Sequence, residues 1–219
     1  MRGSADGLTR DFLARDVDVV APDLLGRVFC SRLPGGAVAV RLTEVEAYAG
    51  LDDPASHAFR GRTPRTAVMF GPAGHLYTYF VYGMHWCANV VAGADGVPSA
   101  VLLRAGEVVD GIEHARRRRP LVTDDRQLAR GPAGLASVLG LAREANGADL
   151  VHPGGELQLL RGRPPDPSSI RSGPRVGVSV AADVERRFWI GDNPTVSAFR
   201  AWVPRKRGRA GVGQAGSAQ

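Results

Sequence analysis

The chain has 219 residues, 44% of them hydrophobic, and its 28 basic and 22 acidic residues give a formal net charge of +6. This length can bury a full core and indicates one domain or at most two. The apolar runs are much shorter than the ~20 residues that a membrane helix needs, and the first ten residues lack the apolar segment of a signal peptide. We therefore expect a cytoplasmic protein of bacterial type with no membrane partner.

The positive charge is concentrated at the C-terminal end. Residues 204–219 contain four basic residues and no acidic one, so 24 basic and 22 acidic residues leave the body at only +2. A pI near 10.1 suggests a polyanionic partner, which the body can bind if its arginines cluster. We expect residues 1–9 to be disordered, residues 10–203 to form one domain and residues 204–219 to be a disordered basic tail. Cys30 and Cys87 are too few for a disulfide framework.

The first predicted elements are a short helix from Asp11, a helical turn introduced by Pro22 and a strand over residues 27–33. A Pro-Gly-Gly turn at 34–36 leads into a second strand, so the two strands predict a hairpin. The second strand, AVAVRLTEVEAY at 37–48, alternates as a half-buried strand does. On this alternation one face carries Val38, Val40, Leu42, Glu44, Glu46 and Tyr48.

This face begins as core and ends in two carboxylates and a phenol. Polar groups of this kind cost free energy when they are buried without partners. The strand either leaves the core for solvent at this point or presents the acids for catalysis. The alternation by itself leaves both interpretations open.

A polar loop at 49–65 then carries His57 and several arginines. Such residues are usually solvated, although loops on rigid strands also carry catalytic groups. Residues 74–91, GHLYTYFVYGMHWCANVV, predict an aromatic strand whose tyrosines either fill a core or form a slot for a planar ring. No metal is expected, because His57, His75 and His85 lack the close spacing and the cysteine partners of zinc sites.

A GADG turn at 93–96 predicts a hairpin with the next strand, in which Arg104 lies among apolar residues. A buried arginine requires a carboxylate partner, and Glu46 is the candidate. A helix is predicted over 107–119, with the arginine run 116–119 at the negative end of its dipole, which favours a solvated helix end over a DNA clamp.

A further helix begins at Pro132. Because a helix N-terminus exposes free N–H groups, Arg130 and Gly131 are candidate contacts to a DNA backbone phosphate. Alternating valines predict a strand within residues 174–180, beside short strands in ELQLL and RRFWI. Short strands grouped in hairpins, with the helices mostly at 107–142, predict a single α+β domain: a curved antiparallel β-sheet with helices packed around it.

Four ordered motifs resemble the alkyladenine (3-methyladenine) DNA glycosylase family over about residues 21–199. They are EVEAY at 44–48, DPASH at 53–57, G-x-L-Y-x-Y-x-x-Y-G-M-x-x-C-x-N at 74–89 and VLLRA at 101–105. The resemblance implies a catalytic domain that binds double-stranded DNA containing damaged purines and needs no cofactor. It also implies an enzyme of base excision repair, which we expect to act as a monomer.

The resemblance also implies roles for single residues. Tyr82 corresponds to the residue that fills the gap left in the duplex by an extruded nucleotide. Tyr48, His57 and Tyr79 correspond to the walls of the base-binding slot, and Asn89 to the residue that disfavours normal guanine. Glu46 corresponds to the general base that activates water, with His57 and Arg104 holding that water and the carboxylate in line.

A monofunctional hydrolase, which leaves an abasic site, is expected because the only lysine is Lys206 in the basic tail. Strand cleavage through an amine nucleophile would need that lysine or the N-terminal amine. Two other functions remain as alternatives. One is a non-catalytic nucleic-acid-binding module that uses the same aromatic face, and the other is a hydrolase of free nucleosides or other glycosides.

Overall fold

The computed structural model describes residues 6–203, and its central feature is an open sheet in which all paired strands are antiparallel. The strands are β1 Val28–Ser31, β2 Val38–Tyr48, β3 Leu76–Val81, β4 His85–Ala92, β5 Ser99–Asp110, β6 Leu157–Leu160, β7 Ile170–Gly173 and β8 Arg187–Ile190. The main order is β3-β4-β5-β2-β1-β6, while β8 pairs with both β2 and β7. The strand β2 therefore has β5 on one side and first β1, then β8, on the other.

Four α-helices accompany the sheet within the described residues: α1 Arg10–Leu13, α2 Val17–Asp23, α3 Ile112–Arg118 and α4 Pro132–Leu139. Short 3₁₀ turns lie at Gly50–Asp52, Ala67–Phe70, Asp125–Gln127, Arg143–Ala145 and Pro167–Ser169. The helix α4 begins with Pro132, whose missing N–H and fixed φ suit a first helical position. The predicted single α+β domain with an antiparallel sheet is confirmed. No helix in residues 6–203 combines the length and apolarity needed to cross a bilayer.

Apolar residues collect on both faces of the sheet. The larger cluster contains side chains of α1, α2 and α4 together with one face of the strands, including Leu76, Val90 and Leu103. A smaller cluster on the opposite face contains Tyr77 and Val91, which alternate with members of the larger one. The sheet is therefore covered on one side by helices and on the other by loops.

The strand β2 exchanges its faces halfway along. Its side chains reach the larger cluster at even positions as far as Leu42 and at odd positions from Val45 onwards. Between these residues the register with β5 shifts twice, with Thr43 as the extra residue in β2 and Arg104 as the extra residue in β5. A single extra residue reverses which face every later side chain occupies.

The prediction that the valines and the carboxylates of β2 lie on the same face is therefore wrong. Glu44, Glu46 and Tyr48 do share a face, but the bulge turns it away from the helices and toward the loops. The strand does not leave the interior at its end either, because both glutamates are 0% exposed. The acids are buried on the loop-covered side of the sheet.

Several predicted boundaries also change. The helix expected over 107–119 begins only at Ile112, because β5 continues to Asp110 beside β2. The helical turn expected at Pro22 is the end of α2, which starts after the N-cap Asp16. The hairpins β1-β2, β3-β4 and β4-β5 and the strands β6 and β8 agree with the expectations.

The predicted strand at 174–180 is wrong, since this segment forms turns while Ile170–Gly173 is the strand β7. The predicted disorder at 1–9 does not reach residue 9, because Gly7 bridges to Leu160 and Leu8 is buried. Residues 1–5 and the predicted tail at 204–219 lie outside the described residues.

Candidate active site

A cavity of about 630 Å³ opens on the loop-covered face of the sheet. Strands β2 to β5, the loop after β2 and the segment 176–180 surround it, with Pro132 of α4 at its edge. Most of the predicted site residues line it: Tyr48, His57, Tyr79, Tyr82, Asn89 and Arg104. Its size falls within the range of cavities that hold small organic ligands.

Glu46 lies directly behind this lining and is fully buried. Its Oε2 accepts a hydrogen bond from the Tyr48 hydroxyl at 2.9 Å, and its Oε1 accepts one from the Val176 N–H at 2.8 Å. Arg104 Nη1 lies 3.3 Å from Oε1. Tyr48, Val176 and Arg104 all line the cavity. The Glu46 carboxylate therefore lies just behind the cavity wall, in contact with these three residues.

Arg104 lies close to Glu46 as predicted, but it also contacts a second carboxylate. The shorter contact of Arg104 is from Nε to Glu44 Oε1 at 2.9 Å. Glu44 also accepts hydrogen bonds from Arg187 Nε at 2.7 Å and from the Ser197 N–H at 2.7 Å. Burial alone would raise the pKa of Glu44, but Arg104, the Ser197 N–H and Arg187 hold it below its ordinary value.

Aromatic rings form the walls of the cavity. The His57 ring meets the Tyr79 ring edge-on, with centroids 4.5 Å apart, and the Tyr77 ring lies 5.8 Å from that of Tyr79. Burial raises the pKa values of Tyr48, Tyr77 and Tyr79 above the ordinary value, so these phenols keep their protons. Together they present flat, uncharged surfaces that suit a planar ring.

His57 is a neutral histidine at neutral pH. Its Nδ1 lies 3.1 Å from the Tyr77 hydroxyl, while the side chain remains exposed at the cavity rim. Desolvation by partial burial and the charge of Arg65 lower its pKa to about 4. A neutral imidazole can both donate and accept a hydrogen bond, which suits it to orient a bound group.

Asn89 projects from β4 into the cavity beside Tyr77, its partner on β3, and is buried. Its Nδ2 donates to the Tyr77 carbonyl at 3.1 Å, which fixes the amide between neighbouring strands. The side chain therefore presents a rigid polar group at this wall.

Tyr82 lies at the tip of the β3-β4 hairpin, with a positive φ of 54° and 79% of its surface exposed. The neighbouring Phe80 and Met84 are also exposed. A non-glycine residue in this backbone region is uncommon, and here it turns a large ring out of the protein at the edge of the cavity.

The two candidate backbone-contact residues lie at the start of α4. Arg130 is exposed, with its Nε donating to the Val196 carbonyl at 2.9 Å, and Gly131 is the N-cap residue with a φ of 79°. Pro132, the next residue, lines the cavity. The run at 116–119 is used within the protein instead, where Arg118 donates to the Val138 carbonyl and Arg119 to the Leu128 carbonyl.

Sequence reasoning missed several residues around this site. Residues 176–180 were expected to be a strand but line the cavity, and no role was predicted for the buried Asp53, Arg175 and Arg187 or for the half-buried Ser197. The available signal was the need of a buried arginine for a carboxylate partner. When an arginine and its carboxylate partner lie more than a hundred residues apart, their pairing cannot be predicted from spacing along the chain.

Comparisons with known proteins agree with one another. A family model described as Methylpurine-DNA glycosylase (MPG) matches residues 11–194. A Streptomyces avermitilis protein is 55% identical over 202 residues, covering 91% of this chain and 95% of its own length. Proteins of Nocardia farcinica and Burkholderia lata are 50% and 44% identical, each over 87% of this chain and over 92% and 90% of their own lengths. All three carry the name "Putative 3-methyladenine DNA glycosylase".

Proposed function

The chain belongs to the methylpurine-DNA glycosylase family, and we propose that it is a monofunctional enzyme that excises alkylated or deaminated purines from duplex DNA. The family membership confirms the resemblance that the sequence motifs indicated. The proposal concerns the activity, the substrate and the residue roles. It rests mainly on one observation: a buried carboxylate, Glu46, is held at the wall of a ring-lined cavity by three cavity-lining residues.

A base inside a duplex must leave the helix before a pocket can enclose it. Tyr82 is suited to take the vacated space, because its ring projects from the hairpin tip beside the cavity. The extruded purine would stack between Tyr48 on one side and His57 and Tyr79 on the other. Stacking on such rings contributes ~1–3 kcal/mol per base, and a cationic alkylated purine gains a further cation–π attraction.

In the proposed reaction Glu46 accepts a proton from a water molecule as the water oxygen bonds to the anomeric carbon. The glycosidic bond breaks with its electron pair going to the departing base, and the carboxylate stabilises the positive charge that develops on the sugar. Arg104 holds the carboxylate, and neutral His57 can hold the water. Asn89 would disfavour normal guanine, by crowding its exocyclic amino group or leaving that group unsatisfied.

Contacts to the DNA backbone complete the proposal. Arg130, the free N–H groups that follow Gly131 and the exposed arginines of the loop 60–65 can meet phosphates around the cavity mouth. The protein would act as a monomer, in the cytoplasm, on double-stranded DNA. The expected product is an abasic site with an intact strand.

The activity can be tested by incubating the protein with duplex DNA methylated by dimethyl sulfate and separating released purines by chromatography. The expected result is free methylated purine, with strand breaks appearing only after alkali treatment. Undamaged duplex and free methylated nucleosides are the matched controls. Binding of the methylated duplex without purine release would favour the non-catalytic binding module, and release from free nucleosides alone would favour a nucleoside hydrolase.

A further inference from the structure

A second ion pair lies behind the aromatic wall, and the proposed chemistry gives it no role. Arg175 and Asp53 are both buried, and their side chains form a forked pair in which Arg175 Nη2 donates to Asp53 Oδ1 at 2.9 Å and Nη1 donates to Oδ2. Burial alone would raise the pKa of Asp53, but the guanidinium holds it below its ordinary value. Asp53 therefore remains ionised inside the protein.

The pair connects three segments that form the site. Arg175 Nη1 donates to the Ala47 carbonyl at 3.0 Å, at the end of β2. Its guanidinium carbon lies 4.7 Å from the centroid of the Tyr48 ring. Since Tyr48 lines the cavity while Arg175 is buried behind it, the cation supports the ring from its outer side.

Asp53 organises the loop that follows β2. Its carboxylate accepts hydrogen bonds from the N–H groups of Ala49 and Ala55, each at 3.1 Å. This loop continues to His57, which also lines the cavity. The carboxylate therefore ties the loop to the same arginine that supports Tyr48.

The third connection runs along the chain from Arg175 to its neighbour. The N–H of Val176 donates to Glu46 Oε1 at 2.8 Å, so the position of Arg175 determines where this donor points. The Tyr48 hydroxyl holds the other oxygen of the same carboxylate. Two of the three contacts that orient Glu46 thus depend on groups that Arg175 touches directly or precedes in the chain.

A contribution to folding stability does not by itself explain why Arg175 and Asp53 form a buried ion pair. Buried ion pairs often contribute no more to folding than apolar residues of similar size, because desolvation offsets the attraction. In this pair Arg175 Nε is also buried without a hydrogen-bond partner in residues 6–203, which adds to the cost. A role in holding the site in place accounts for a pair that folding by itself does not require.

We propose that Arg175 and Asp53 are positioning residues for the excision reaction, which aim the Val176 N–H at Glu46 and fix Tyr48 against its cavity face. The inference rests on the proposed function. Misplacing a reacting group by about 1 Å can cost about 100-fold in rate. Affinity for the duplex should change little, because phosphate contacts dominate it.

The test compares Arg175→Gln, Asp53→Asn and Arg175→Lys with the wild-type protein. The probe is a fluorescein-labelled duplex methylated by dimethyl sulfate, used both for single-turnover purine release and for affinity by anisotropy. We expect Arg175→Gln and Asp53→Asn to release purine about 100-fold more slowly, with nearly unchanged affinity. Arg175→Lys keeps the charge but loses the fork, so it should recover part of the rate.

Arg10→Gln is the matched control, because it removes an arginine paired with Asp149 in another part of the fold and should keep the wild-type rate. Circular dichroism establishes which variants fold. If Arg175→Gln and Asp53→Asn do not fold, the rate of Arg175→Lys tests the positioning role. A folded Arg175 variant with the wild-type rate would overturn the positioning role. So would a loss of rate that only follows the loss of thermal stability. An inactive wild-type protein would defeat the proposed function, and the inference with it.

Discussion

Glu44 and Glu46 lie two residues apart on one face of β2, and both are 0% exposed, yet their surroundings differ. Glu44 accepts hydrogen bonds from two arginines and from both the N–H and the hydroxyl of Ser197. Glu46 accepts one from a phenol and one from a backbone N–H, with Arg104 at 3.3 Å. The same residue type at the same depth is therefore placed in two different environments.

The difference lies in the remaining capacity for hydrogen bonds. A carboxylate offers about four acceptor positions. Within residues 6–203, Glu44 accepts four hydrogen bonds, three at Oε1 and one at Oε2, whereas Glu46 accepts only two and so uses half of this capacity. A saturated carboxylate serves to anchor its neighbours, and an unsaturated one beside a cavity can take part in chemistry.

The largest effect is expected at the unsaturated carboxylate. Glu46→Gln should lower the single-turnover rate of purine release by about 10²–10⁴-fold, which is the usual contribution of a general base. Binding to methylated duplex should persist, since the change leaves the cavity walls in place. Glu144→Gln removes the same charge at an exposed position and is the control. A Glu46→Gln variant with a near-normal rate would show that Glu46 is not the base.

The saturated carboxylate should instead affect stability. Glu44→Gln leaves the buried Arg104 and Arg187 without their shared anion, so the free energy of unfolding should fall by about 3–5 kcal/mol. Urea denaturation of this variant, beside Glu46→Gln, measures the effect. Equal losses in the free energy of unfolding for the two variants would contradict the assignment of Glu44 to stability and of Glu46 to catalysis.

The contribution of Glu44 to stability should also depend on pH. Because the folded-state pKa of Glu44 lies below the ordinary value of 4.5, its stabilising contribution is present above pH 4.5 and is lost as the pH falls through the folded pKa. The stability difference between the wild type and Glu44→Gln should therefore be largest above pH 4.5 and shrink under more acidic conditions. A difference that grows on acidification would contradict the assignment.

A smaller effect is expected from the phenol that holds Glu46. Tyr48→Phe keeps the ring of the cavity wall but removes the 2.9 Å hydrogen bond to Oε2. A hydrogen bond to a charged group contributes about 1.5–3 kcal/mol, so a rate loss of at least about 10-fold is expected. Single-turnover excision measures it. Tyr77→Phe, which removes a hydroxyl that contacts His57 rather than Glu46, should lose less.

The smallest effect concerns His57. Its pKa is lowered from 6.5 to about 4, so the unfolded chain takes up a proton in this interval and the folded protein does not. Stability should therefore fall as the pH drops from 6.5 to 4, and His57→Gln should reduce that slope. The exposed side chain keeps the effect small, because solvent screens it. Melting temperatures of both proteins across this pH interval provide the measurement.

Much of the site was predictable because its residues follow local patterns. The tyrosines of β3 alternate regularly, and Leu102 and Arg104 share a face of β5, so strand periodicity brings them to the cavity. The motifs around Glu46 and His57 identified the family. Segment 174–180 misled the prediction, because its valines alternate as in a strand while the Val176 N–H bonds to Glu46 and the Gly177 N–H to the Arg200 carbonyl.

The amino-acid sequence determined the antiparallel α+β architecture and the residue types of the candidate site, because alternation, turn chemistry and motif spacing act over short stretches of chain. Only the tertiary structure decided which face of β2 carries the acids, since that depends on one extra residue in its pairing with β5. It also decided that Arg175 pairs with Asp53, 122 positions away. Electrostatic pairing depends on distance in space, which residue spacing along the chain does not specify.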